Sequence, residues 1–261
     1  MGLGQAGGLL RGTVTGPVPV PPPATERASA KLTLVLRVRG VRTDGYHHID
    51  AEMVTVDLAD VLTFAAGDGL QVVGGATGVP EGADNLVVRA LAAVGRKARV
   101  RLEKRIPVGA GLGGGSADAA AVLRWAGCHD LGMAAALGAD VPFCLVGGRA
   151  RVTGVGETVE PLPPVERWFT LQVPPFGVPT AAVYRAWDRL GGPTGMGTND
   201  LEPAALAVEP DLARWRDRLG DATGCTPMLA GSGSAWFVEG AHPGEGRVVT
   251  RSVPATAARQ R

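Results

Sequence analysis

The chain has 261 residues, 45% of them hydrophobic, with 26 Lys and Arg against 25 Asp and Glu. That length holds one large domain or two modest ones, each with its own core. The even charge balance excludes non-specific attraction to nucleic acid or anionic membranes, which calls for a marked basic excess. The three cysteines, Cys128, Cys144 and Cys225, form no CxxC pair. A disulfide framework or zinc site is therefore not expected, and a reducing cytoplasm fits. No run of about 18 uninterrupted apolar residues marks a membrane span.

Residues 1–29, rich in Gly and Pro with PVPVPPP at 17–23, read as a disordered or polyproline-like tail outside the fold. AKLTLVLRVRG at 30–40 alternates Leu32, Leu34, Leu36 and Val38 with Lys31, Thr33, Arg37 and Arg39, the period of a half-buried strand. RTDGYHH at 42–48 is turn chemistry around Asp44-Gly45. Strand-like runs follow at 53–58, 61–64 and 70–73, and Asp84 reads as the N-cap of a helix through Val94. RVRLE at 99–103 is a strand that runs into a glycine-rich loop, and a helix is expected from Ser116 to about Trp125. A short helical piece spans 133–137, and further elements lie at 141–146 and 150–154.

PLPPVE at 161–166 suggests a domain boundary. Beyond it come a strand at 168–173, helices at 180–190 and 211–219, a Gly/Ser turn in AGSGSAWF at 230–237, and a last strand at 247–253. Strands and helices mix without regular βαβ alternation, so two α+β domains are expected.

The chemistry concentrates in IPVGAGLGGGSADAAA at 106–121, where Gly109, Gly111, Gly113, Gly114 and Gly115 fall within seven positions directly before a helix. Glycine lets backbone N–H groups come close to a bound molecule, and a helix start adds unpaired N–H donors and the positive end of a dipole. The pair makes an anion cradle, most often for phosphate. Gly109, Gly111 and Gly114 also match a dinucleotide-binding spacing, but no second strand ending in an acidic residue follows near His129 and Asp130. A Walker A loop fails too, because no lysine stands between Gly115 and Ser116.

This loop closely resembles that of the GHMP kinases. The stretches AKLTLVLRVRGVRTDGYHHIDAEM, ADNLVVRAL, LGADVPFCLVGG, TNDLEPAAL and MLAGSGSAWF resemble family segments in family order, over roughly residues 30–238. The resemblance implies an α+β two-domain GHMP kinase fold. It pairs a ribosomal protein S5 domain 2-like N-terminal domain (30–165, carrying the phosphate loop) with a ferredoxin-like C-terminal domain (166–256), with the active site in the cleft between them and a tail at 257–261.

It also implies a cytoplasmic small-molecule kinase, monomeric or homodimeric, that uses ATP and Mg²⁺ to phosphorylate a cytidine diphosphate sugar alcohol, with no nucleic-acid or membrane partner. A GHMP kinase for another small alcohol and a non-catalytic nucleotide-binding relative are the alternatives.

The roles implied for single residues each compete with a plainer one. Asp140 in LGADVPF would be the base that takes the acceptor's proton; alone it reads equally as a helix cap. Lys31 would stand beside Asp140, although a strand lysine is ordinarily solvated. ATP would be held by Asn85, Lys104, Pro107, Gly109, Gly111, Gly113, Gly114, Gly115 and Ser116. Asn85 alone reads as part of a helix cap and Lys104 as a solvated side chain. The acceptor would meet Tyr46, His47, Thr180 and Tyr184, the aromatic faces suiting a pyrimidine. AGSGS at 230–234 reads either as a hairpin turn or as a second glycine turn near the phosphates. His48 reads as a surface residue, and no side chain is assigned to a metal. The chain departs from the family at Thr33, where asparagine is usual, and in shortened segments between Ser116 and Asp140 and after Phe237.

Overall fold

The computed structural model describes residues 24–74, 78–192 and 197–255. Two long antiparallel strands, β1 (Ala24–Val41) and β2 (His47–Ala65), form its backbone, joined by the turn at Asp44-Gly45. β2 pairs along its other edge with β5 (Arg149–Gly154) near its start and β4 (Arg99–Glu103) near its end; β3 (Gly69–Val73) and β6 (Thr158–Leu162) complete a six-stranded sheet. The expected strands at 53–58 and 61–64 are thus one continuous element.

β1 starts at Ala24, six residues inside the stretch expected to be tail, and Ala24–Ser29 pair with Phe64–Ala59. Ala28 and Ala30 are fully buried in the same alternation as Leu32 and Leu34, so the pattern runs on with small residues that carry little hydrophobic signal. The rest of that tail, residues 1–23, and the one at 257–261 lie outside the described residues. Nor is β1 half-buried: Lys31 and Thr33 on its polar face are 5% and 3% exposed, because the glycine loop and the second half of the chain close over them.

Helix α2 (Gly114–Trp125) packs on β1 and β2 through Ala117, Ala119, Ala120, Ala121, Val122 and Leu123, all buried; the alanines let the helix lie close to the sheet. Trp125 stacks flat on Phe64 with centroids 4.5 Å apart. Around it lie α1 (Leu86–Ala93), α3 (Leu131–Leu137) and α4 (Val141–Val146). The cap of α1 is Asn85 and not Asp84, since the Asn85 side chain accepts from Val87 N at 2.8 Å.

The second half is a four-stranded antiparallel sheet in the order β10 (Arg247–Arg251), β7 (Trp168–Gln172), β9 (Trp236–Glu239), β8 (Met228–Leu229). With it pack α5 (Thr180–Arg189), α6 (Glu202–Val208) and α7 (Leu212–Thr223). Phe169, Leu171, Trp236, Phe237 and Val238 are buried on both sides of this sheet, each contributing roughly 1.5–3 kcal/mol through burial.

The halves are stitched at two places that shape the site. Residues 198–200 run beside β1: Leu36 N donates to Thr198 O at 2.8 Å, and Asp200 N to Leu36 O at 2.9 Å. Arg37 and Val38 N both donate to the Asp200 carboxylate, at 2.8 and 3.0 Å. The other join is between two glycine turns.

Candidate active site

The glycine loop is built for close approach. Gly109, Gly111 and Gly113 take φ of +70°, +76° and +68°, the left-handed region where other residues are strained. A Cβ on Gly111 would collide with the Ala230 carbonyl, and one on Gly113 would lie 2.8 Å from Lys31 Cγ. The helix starts at Gly114, two residues earlier than expected, with Gly113 as N-cap and no side chain capping it. The N–H groups at the head of α2 are therefore left for another acceptor, as an anion cradle requires.

The AGSGS turn is a hairpin, as one of its two readings expects, and it lies against the glycine loop. It joins β8 to β9, and Ala235 N donates to Ala110 O at 3.1 Å and Ser234 N to Gly109 O at 3.3 Å. Ser232 reaches the Thr180 hydroxyl at 2.9 Å, tying the turn to the first turn of α5.

These pieces border one cleft of roughly 510 Å³ between the halves. Lining it are Pro107 and the whole glycine loop through Ser116, with Asn85 at one side and Thr180 and Tyr184 at the other. Lys31, from β1, and Asp140, from the residue before α4, both line it. Lys31 Nζ lies 3.6 Å from Asp140 Oδ2 and 3.1 Å from Thr33 Oγ1. The Thr33 hydroxyl thus accepts a hydrogen bond from the lysine and helps to hold it. Asp140 sits at the N-cap position of α4 but makes no capping hydrogen bond, and its side chain is 33% exposed. A carboxylate left out of its cap and beside an ammonium can accept a proton from a third group placed next to both.

Lys104 also borders the cleft, but its ammonium is buried and committed. It pairs with Asp60 and with Asp118 Oδ2, the latter at 2.8 Å, and Asp60 Oδ1 accepts from Ile106 N at 2.8 Å and Arg105 N at 2.5 Å. This triad anchors the strand-to-loop junction; a Cβ on Gly114 would sit 3.2 Å from Lys104 Nζ. Burial pushes the Asp118 carboxyl up to about 7, against the pull of Lys104. Asp60 and Asp118 escape a sequence reading because two carboxylates so far apart in the chain show no spacing. The presence of Asp118 two residues after Ser116 is the one available signal.

On the acceptor side, the structure divides the expected residues. Tyr184 lines the cleft, and its phenol is pushed up by burial and then by the Asp140 charge, so it stays neutral. His47 is not in the lining: its ring lies behind Tyr184, centroids 4.6 Å apart, with Nε2 held 2.8 Å from Asp188 Oδ1. Tyr46 stands outside on the turn, 63% exposed.

Residues 85–148 match the GHMP kinases N terminal domain. A 4-diphosphocytidyl-2-C-methyl-D-erythritol kinase from Moorella thermoacetica is 43% identical over 197 residues, 69% of each chain. One from Paracoccus denitrificans is 41% identical over 81% of this chain and 85% of that one. The chain belongs to the 4-diphosphocytidyl-2-C-methyl-D-erythritol kinase family. A crystal structure of a 4-(cytidine 5'-diphospho)-2C-methyl-D-erythritol kinase superposes with a TM-score of 0.68 at 32% identity, covering 88% of this chain and all of that one. A homoserine kinase from Cytophaga hutchinsonii, at 19% identity and a TM-score of 0.55, shares the fold of this family. Among the described residues, no helix is long and apolar enough to cross a membrane.

Proposed function

We propose that this kinase transfers the γ-phosphoryl group of ATP to the 2-hydroxyl of 4-diphosphocytidyl-2-C-methyl-D-erythritol, a step toward isoprenoid precursors, and does so in the cytoplasm. The observation that carries the chemistry is the Lys31–Asp140 pair, 3.6 Å apart, at the edge of a glycine loop with an uncapped helix start. The loop N–H groups and the Ser116 hydroxyl hold the phosphates, with Asn85 at the adenine end and Pro107 shaping the approach. Lys104 contributes by fixing the loop from beneath through Asp60 and Asp118.

In the transfer step the acceptor oxygen bonds to the γ-phosphorus as the bridge to the β-phosphate breaks and ADP leaves. The acceptor's proton passes to Asp140. Lys31 offsets charge on the transferring group and keeps Asp140 aimed. Thr180 and Tyr184 border the acceptor end. Tyr184 offers one aromatic face, stiffened from behind by His47 and Asp188, and Tyr46 on the exposed turn closes over the base from outside.

Mg²⁺ belongs to the same proposal. Among the described residues no group of three or more His, Cys, Asp or Glu could hold a metal by itself, so Ser116 and Asp140 would add ligands to a cation carried on the nucleotide's own phosphates. Bound there, it neutralises charge on the β- and γ-phosphates.

The deciding measurement is ADP release by the purified chain with Mg-ATP, with and without the acceptor. Acceptor-dependent release supports the reading. Release that depends on another alcohol, or ATP binding without turnover, overturns it.

A further inference from the structure

The TNDLEP segment has no assigned part in the chemistry, yet one of its residues is wired to the site. Asn199 is 3% exposed, and its amide group is fully engaged. Nδ2 donates to Leu229 O at 2.9 Å and to Gly231 O at 2.7 Å, while Oδ1 accepts from Leu201 N at 2.9 Å. The two carbonyls it grips flank Ala230, the residue against which Gly111 is packed. Gly231 itself abuts the catalytic lysine: a Cβ there would lie 3.1 Å from Lys31 Nζ and 3.4 Å from Gly111 O. The backbone around Asn199 is pinned in turn to β1 at Leu36, the strand that carries Lys31.

We propose that Asn199 is a positioning residue for Lys31, acting through the Gly231 carbonyl to hold the AGSGS turn as a wall against the ammonium. Thr33 and Asp140 hold the ammonium at 3.1 and 3.6 Å, and the turn, close enough that a Cβ on Gly231 would crowd it, limits where a long, flexible lysine can swing. Only a side chain with two donors can serve two neighbouring carbonyls this way. Aspartate, the same size, would face them with acceptors. The proposal rests on the reading of Lys31 as part of the transfer machinery.

A double-mutant cycle on the full chain tests it, using Asn199→Asp, Lys31→Ala and the pair, with steady-state kcat, the ATP dissociation constant and the folded fraction measured for each. Asn199→Asp is expected to lower kcat per folded molecule by on the order of ten- to a hundred-fold, as small misplacements at a reacting centre do, with the ATP dissociation constant little changed. In the Lys31→Ala background the same change is expected to cost less than about two-fold, because the group it positions is gone.

Losses that multiply in the double variant, or an unchanged kcat per folded Asn199→Asp molecule, overturn the proposal. If Asn199→Asp does not fold, Gly231→Ala runs the same cycle from the other end of the link; wild-type kcat there, or losses that multiply with Lys31→Ala, likewise overturns it. Wild-type turnover in Lys31→Ala would instead overturn the site reading on which the proposal stands.

Discussion

Lys104 and Asp118, 2.8 Å apart and both under a tenth exposed, form an ion pair beneath the phosphate loop, with Asp60 completing it from β2. A lysine that lines the cleft and resembles a nucleotide contact is thereby also braced from within. Replacing it leaves two buried carboxylates without a cation. Lys104→Met is expected to cost about 3–5 kcal/mol of stability, the usual result of breaking a buried pair from one side. Urea unfolding measures it. A stable variant with weakened ATP binding would return Lys104 to the nucleotide.

The same triad sets a pH dependence. Burial holds the Asp118 carboxyl near 7 in the folded chain against an ordinary value of 3.8. The folded state therefore binds a proton between about pH 4 and pH 7 that the unfolded chain releases, and stability from this group is full at the acid end and lost as pH rises through 7. Asp118→Asn, which cannot ionise, is expected to lose that decline. Denaturation midpoints of the two proteins should converge or cross between pH 4 and pH 7; parallel curves would contradict the assignment.

Asp140 is expected to separate binding from chemistry. Asp140→Asn keeps the shape of the residue before α4 and removes the proton acceptor, so kcat should fall about a hundred- to ten-thousand-fold, with ATP affinity nearly intact. Rapid-quench turnover alongside equilibrium ATP binding checks both halves.

Gly111→Ala places a methyl against the Ala230 carbonyl at a backbone φ of +76°. Both the strain and the clash push the two glycine turns apart. The variant should lose stability and nucleotide affinity together, read by thermal unfolding with and without ATP. An ATP-induced shift equal to that of the wild type would show that the contact is dispensable.

Tyr46 offers the opposite test, since it is largely exposed and packs on nothing in the core. Tyr46→Ala should leave stability within about 0.5 kcal/mol and raise KM for the cytidine-bearing acceptor without changing KM for ATP. An unchanged acceptor KM would remove Tyr46 from the site.

Much of this arrangement was legible in the residues. Leu32, Leu34 and Leu36 announced β1, and the glycines before Ser116 announced a cradle, because period and glycine content are local signals. Resemblance, not periodicity, placed Lys31 beside Asp140. What stayed hidden depends on contacts between distant segments. The alanines at 28 and 30 extend β1 without looking like a strand. Asp60 reads as an ordinary strand residue until Lys104 and Asp118 are folded against it. His47 offers an imidazole edge in sequence, and only in three dimensions is its Nε2 seen to be taken by Asp188. Asp84 and Asn85 are both good caps, and only the geometry of the turn shows that Asn85 takes the role.

The hydrogen bonds from Ser234 and Ala235 back to Gly109 and Ala110 also bear on how the protein comes into being. The glycine loop leaves the ribosome well before its partner hairpin, β8 and β9. Closing so long a loop is entropically costly and slow. The N-terminal sheet can assemble around β1 and β2 first, yet until β8 and β9 arrive the glycine loop lacks the turn that packs on it. A chain caught before β8 and β9 have paired therefore carries a glycine loop without the backbone partners that hold its shape.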